Sequence, residues 1–121
     1  MAKKLVSSRY RDLGLVINAS SIANDALAYS EYFYNLSTYK RFVFHCKSSQ
    51  SWELYCTKMY TDGTNDWGNA IATGLSSTST AYSGISIYAT TSICGYGLRF
   101  GMKNKSGAAT ANFELYVQCI N

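Results

Sequence analysis

Across residues 39–67 the side chains change character with a period of two. Phe42, Phe44 and Cys46 share one phase, and Arg41, Val43, His45 and Lys47 share the other. After a polar turn, Trp52, Leu54 and Cys56 fall out of phase with Glu53, Tyr55 and Thr57. That period puts successive side chains on opposite faces of a strand, and an α-helix does not have it. Strands with one apolar and one polar face pack in antiparallel sheets that bury one side. The alternation returns at Leu98, Phe100 and Met102, and again at Ala111, Phe113, Leu115, Val117 and Cys119. Shorter or less regular stretches lie at Leu13, Leu15 and Ile17, and over residues 81–88. Residues 26–34 carry Tyr29, Tyr32, Phe33 and Tyr34, a cluster that favours a strand over the competing amphipathic helix across 21–34.

Asn-, Asp-, Gly- and Ser-rich turns separate these segments, as they must in a chain without proline. The pattern predicts an all-β fold, an antiparallel β-sandwich or jelly-roll-like domain of about seven or eight short strands. One domain over residues 13–121 suits a chain of 121 residues. A basic arm, residues 1–12, precedes it as an N-terminal extension. The expected core is Phe42, Phe44, Leu54, Leu98, Phe100, Phe113, Leu115 and Val117. Gly95 and Gly97 suggest a bulge or a close backbone approach.

Charged residues make up 15% of the chain and eleven residues are tyrosine. Usual charged content is about 25%. Such a surface is covered by hydroxyls, amides and rings, and it suits contact with protein or sugar. The formal charge of +4 is concentrated at Lys3, Lys4, Arg9 and Arg11. This is too little basic charge to expect a nucleic-acid partner. The first residues lack the apolar core of a signal peptide, and no segment approaches the ~20 apolar residues of a membrane helix. Synthesis in the cytosol without a signal peptide, and no membrane partner, is the expectation.

The chemistry-bearing residues form no catalytic or cofactor motif. Cys46, Cys56, Cys94 and Cys119 match no zinc spacing. His45 neighbours Cys46, but alternation sends the two side chains to opposite faces. Asp62, Asn65 and Asp66 surround one turn and could hold calcium, but turn formation explains them equally. Read as hairpins, the strands put Cys46 opposite Leu54, Phe44 opposite Cys56 and Cys94 opposite Val117. The thiols are then diagonal neighbours at about 7–8 Å, too far apart for a bridge. Four reduced, buried thiols are expected, with a bridge between sheets as the alternative. No cofactor, metal or catalytic residue is expected. The aromatic residues Tyr55, Tyr60, Trp67, Tyr82, Tyr88 and Tyr116 offer a contact surface that could stack on sugars, stack on bases or anchor a protein interface. Ordinary strand filling explains any one of them as well.

One longer pattern joins these parts. A strand over residues 39–46 is followed by Met59-Tyr60-Thr61-Asp62-Gly63-Thr64-Asn65-Asp66-Trp67. A small-residue loop then leads to Leu98-Arg99-Phe100-Gly101-Met102-Lys103-Asn104, a Ser106-Gly107 turn and a final strand. Over residues 36–120 this resembles small β-sandwich structural proteins of tailed phages and related viruses. The resemblance implies a virion component: a capsid decoration or cement protein, a minor capsid protein, or a tail or fibre subunit. It implies partners among other virion subunits or further copies of the chain, and no catalysis. Lys3, Lys4, Leu5, Val6, Arg9, Tyr10 and Arg11 would be the arm's interface residues. A carbohydrate-binding β-sandwich module is the alternative function.

Overall fold

The computed structural model of the chain describes residues 10–36, 38–60, 63–66, 72–74, 83–88 and 97–121. Among these residues there are nine strands and no helix: β1 (Tyr10–Ile22), β2 (Leu27–Tyr34), β3 (Arg41–Ser48), β4 (Trp52–Met59), β5 (Asn65–Asp66), β6 (Ala72–Gly74), β7 (Ser83–Tyr88), β8 (Gly97–Asn104) and β9 (Ala111–Ile120). Six are eight residues or longer and three are shorter, where seven or eight short strands were expected. The competing helix over 21–34 is not formed. Among the expected residues, Lys3, Lys4, Leu5, Val6, Arg9, Asp62, Trp67, Tyr82, Cys94 and Gly95 lie outside those described.

Every ladder is antiparallel, and the strands form two sheets. The first has the order β1-β9-β3-β7 and the second β2-β8-β4-β5, with β6 also pairing β4. This is an antiparallel β-sandwich of a four-stranded and a five-stranded sheet, with a jelly-roll-like strand order. The expected core is all buried, and the aromatic rings meet across the layers: Phe44 of the first sheet lies edge-on to Phe100 of the second, centroids 5.5 Å apart.

The predicted hairpins are corners instead. β3 pairs β9 and β7, while β4 pairs β8, so the turn after Ser48 carries the chain from one sheet to the other. β8 and β9 are likewise in different sheets. Cys46 therefore faces Leu115 and Ser83, Cys56 faces Phe100, and Cys119 faces Phe42. All three are buried thiols. Burial pushes Cys46 up to about 12. Burial also pushes Cys119 up to about 12, with Arg11 opposing and Asp12 adding to the rise. Neither is a thiolate nucleophile at neutral pH.

Asn104 ties the corner after β8 to the one after β1. It is wholly buried, and its amide donates to the carbonyls of Ile22 (2.9 Å) and Ala109 (2.7 Å). Its side-chain oxygen accepts from the Ser106 amide at 2.8 Å.

The first strand begins earlier than the sequence suggested. β1 includes Tyr10, Arg11 and Asp12, so the segment before the sandwich ends before Tyr10. Tyr10 pairs Ile120, and its hydroxyl accepts from Gln118 Nε2 at 3.2 Å. Arg11 reaches across the open side of the sandwich and donates from Nη1 to the Tyr34 carbonyl at 2.9 Å. β1 shifts register against β9 between Asp12 and Gly14, Leu15 and Ile17, and Ala19 and Ile22. At the first shift Gly14 takes a φ of 75°, and its amide donates to Asp12 Oδ1 at 2.8 Å. Positive φ of this kind is what glycine supplies at a bulge.

Candidate functional site

The register places the outward side chains of the second sheet in four rows, each read from β4 across β8 to β2. They are Met59-Gly97-Tyr34, Thr57-Arg99-Tyr32, Tyr55-Gly101-Tyr29 and Glu53-Lys103-Leu27. Along β8, glycine and a basic residue alternate on this face. Tyrosines stand on both sides of them.

A bulge makes this possible. Tyr29 and Tyr32 are three residues apart, which in a regular strand would send them to opposite faces. β2 shifts register against β8 between them. The buried Ser30 hydroxyl takes part in the ladder there, accepting from the Phe100 amide at 2.9 Å and donating to the Glu31 carbonyl at 2.7 Å. Both tyrosines then point outward over one cation. The Arg99 guanidinium lies 4.5 Å from the Tyr29 ring centre and 4.8 Å from the Tyr32 ring centre. Such stacks contribute about 0.5–2 kcal/mol depending on exposure.

The neighbouring rows extend the surface. Lys103 Nζ sits 5.9 Å from the centre of the Tyr55 ring. Tyr55 donates its hydroxyl to Glu53 Oε1 at 2.8 Å. Burial, and then that hydrogen bond and charge, raise the Tyr55 phenol above its ordinary range. Gly97 is a point of close approach: a Cβ there would meet the Tyr34 ring at 2.8 Å. Tyr34 thus lies over the glycine and donates to Met59 Sδ at 3.9 Å. Tyr29 is 50% exposed and Tyr34 39%.

The outward face of the first sheet is different. Its rows run Tyr10-Ile120-Arg41, Asp12-Gln118-Val43, Leu15-Tyr116-His45 and Asn18-Glu114-Lys47. Leu15 and Tyr116, directly opposite each other, are both exposed. His45 Nε2 lies 3.4 Å from Gln118 Oε1, and Lys47 pairs Glu114 at 3.4 Å. At one end, a shallow polar cleft of about 340 Å³ is lined by Asn18, Ser20, Lys47, Ser49, Asn112 and Glu114, among others.

The expected aromatic surface is therefore divided. Tyr55 is half-buried on the outer face of the second sheet, and Tyr116 is exposed on that of the first. Tyr60 is exposed beyond the end of β4, where its carbonyl accepts from the Gly63 amide. Tyr88 ends β7 opposite Arg41. Sequence reasoning missed Tyr29, Tyr32, Tyr34, Arg99 and Lys103 as a group. The readable part of that signal was the alternation Gly97, Arg99, Gly101, Lys103. Among the described residues no cluster of His, Cys, Asp and Glu could hold a metal ion, and no helix is long and apolar enough to cross a membrane.

No family model and no curated protein matches the sequence. Among solved structures, the fold is similar to one from Clostridium thermocellum, the CBM22-1 and GH10 modules of the N-terminal endo-1,4-beta-D-xylanase 10B complexed with xylohexaose. The TM-score is 0.56 at 11% sequence identity, over 94% of this chain and 26% of that one. The present chain thus spans about a quarter of the length of that protein, and what the two share is a fold.

Proposed function

We propose that this protein is a non-catalytic virion structural subunit that acts by surface contact, as a decoration, minor capsid or tail-type component. The observation that carries the reading is the pair Leu15 and Tyr116, exposed side by side on the outer face of the first sheet. Charge is sparse around them. The neighbouring His45 and Gln118 contact each other, and Lys47 and Glu114 form a pair. Tyrosine is enriched where proteins meet. The jelly-roll strand order supports the reading at the level of fold, since capsid domains use it, and so do lectins. The partners are neighbouring subunits, including further copies of this chain. Size-exclusion chromatography with light scattering tests this. Oligomers that Tyr116→Ser dissociates support it, and a monomer at all concentrations defeats it.

A second reading, carbohydrate recognition, is favoured by a separate observation. The tyrosine and arginine cluster on the second sheet offers ring faces beside fixed hydrogen-bond donors. The similar fold in the xylohexaose complex adds support of the same fold-level kind.

A further inference from the structure

The cleft at one end of the first sheet is built by a bulge. Ala19 pairs Phe113 and Ile22 pairs Ala111, so Ser20 and Ser21 of β1 stand against Asn112 alone. Ser21 takes a φ of 57°, a conformation uncommon outside glycine. Its amide donates to Asn112 Oδ1 at 3.0 Å. On the other side the Asn112 amide donates to Ser49 Oγ at 2.9 Å, and the Ser49 amide donates to the Asn112 carbonyl at 3.2 Å. Asn112 is therefore gripped from both walls of the cleft. Because Ser21 takes Oδ1, the amide orientation is fixed, and the exposed Nδ2 group is bonded to none of the described residues. Ser49 Oγ accepts from the backbone, which leaves its O–H to donate. Asn18 and Ser20 are exposed on the same cleft, and neither side chain is bonded to a described residue.

The charges at this cleft cancel. Lys47 and Glu114, cross-strand partners in its lining, pair at 3.4 Å. That leaves no net charge to hold an anion or a metal ion, and the polar lining does not suit an apolar ligand. What fits is a neutral ligand whose groups both donate and accept. A vicinal pair of hydroxyls does so: one donates to the Glu114 carboxylate while the next accepts from Asn112 Nδ2. The exposed Tyr116 ring lies two residues along β9 from Glu114, about 7 Å further on the same face. There the C–H face of a pyranose meets an electron-rich ring. The volume of about 340 Å³ lies within the range of small-molecule sites.

We infer that this cleft binds a neutral saccharide, held by Asn112, Asn18, Ser20, Ser49 and Glu114 and continued over Tyr116. The inference rests on the second reading above, and it places the sugar on the first sheet instead of the tyrosine and arginine cluster of the second. The hydroxyls of the ligand replace the water that an open polar cleft otherwise holds.

Nitrogen-15 NMR titration of the full chain with neutral oligosaccharides of glucose, galactose, mannose, xylose and N-acetylglucosamine tests the inference. At least one is expected to bind with a millimolar or tighter Kd and to shift the Asn112 side-chain amide signal. Asn112→Asp keeps the acceptor for the Ser21 amide but removes the N–H pair, and should weaken binding at least about tenfold. Asn18→Ala, Ser20→Ala and Tyr116→Ser should each weaken it about two- to tenfold. Asn18→Ala and Ser20→Ala should leave the thermal midpoint unchanged, because neither side chain is bonded within the fold. No binding by any of these sugars at millimolar concentration overturns the inference and the carbohydrate reading together. Binding that Tyr29→Ser abolishes and Asn18→Ala leaves intact keeps that reading and overturns this site. Tighter binding of oligogalacturonate or of tetra-alanine than of every neutral sugar would assign the cleft to an anion or to a peptide, and overturn the inference as well.

Discussion

The outer face of the first sheet holds the rows Asp12-Gln118-Val43 and Leu15-Tyr116-His45, and that of the second holds Thr57-Arg99-Tyr32 and Tyr55-Gly101-Tyr29. Both are the wet sides of strands whose other side fills the same core. On the first sheet, polar groups contact one another within the plane of the face, as Gln118 does with His45 and Tyr10. On the second, rings stack on cations above glycines. Both sheets contain bulges, but the bulges act differently. Those of β1 disturb an edge, and the first is held by the exposed Asp12. The bulge of β2 is held by a buried hydroxyl and moves a tyrosine to the other side of its strand. One extra residue in a strand is enough to turn strand filler into a cluster.

The largest effects should appear where the two sheets do not differ. Phe44→Ala and Phe100→Ala remove the two halves of one ring contact, and each should cost about 3–5 kcal/mol in chemical denaturation. Losses of that size approach the whole stability of a small domain. A large loss from only one of the two would break the equivalence of the inner faces.

Asn104→Ala should come next, at about 2–4 kcal/mol, since it leaves the partners of three hydrogen bonds unmatched at a buried corner.

The bulges give the sharpest comparison. Ser30→Ala should cost about 1–3 kcal/mol because the buried Phe100 amide loses its acceptor. It should also change the near-ultraviolet circular dichroism of the tyrosines. Asp12→Ala, at an exposed bulge, should cost about 1 kcal/mol or less and leave that spectrum alone. Equal costs would mean that the two bulges are held alike.

On the surfaces themselves, Tyr116→Ser and Tyr29→Ser should each change stability by only about 0.5 kcal/mol. Light scattering should then show loss of self-association for Tyr116→Ser alone.

The smallest effect near neutral pH is expected from Cys46→Val. The folded state holds the Cys46 proton up to about 12, against an ordinary 9.0. The unfolded state gives that proton up first, so this contribution is intact below pH 9 and is lost as pH rises toward 12. Thermal melts of the wild type should therefore fall more steeply than those of Cys46→Val across that window.

Much of the core was legible because alternation fixes which side of a strand faces inward. Phe42, Phe44, Leu54, Phe100 and Phe113 were all readable in this way. Alternation does not say which strand lies alongside, and Cys46 shows the consequence. The Ser48 turn looked like a hairpin and suggested Leu54 as its neighbour, yet the chain crosses to the other sheet and Cys46 faces Leu115. The site was less legible still. Tyr29 and Tyr32 share a face only because Ser30 takes part in the ladder, and nothing in the spacing of residues 29–34 announces that.

The place of β9 in the first sheet has a consequence for how the chain is made. β9 lies between β1 and β3, so among the described strands β1 has no ladder partner until β9 exists. Ile22 ends β1 and Ala111 begins β9, with residues 23–110 between them. At about 5–20 residues per second, a ribosome needs roughly 4–18 seconds to cover that interval. During that time β1 is a strand without a sheet, and such strands invite pairing with a second chain. The three register shifts in β1 make it a poor template for straight pairing. The irregularity of its edge guards the nascent chain during the wait for its own partner.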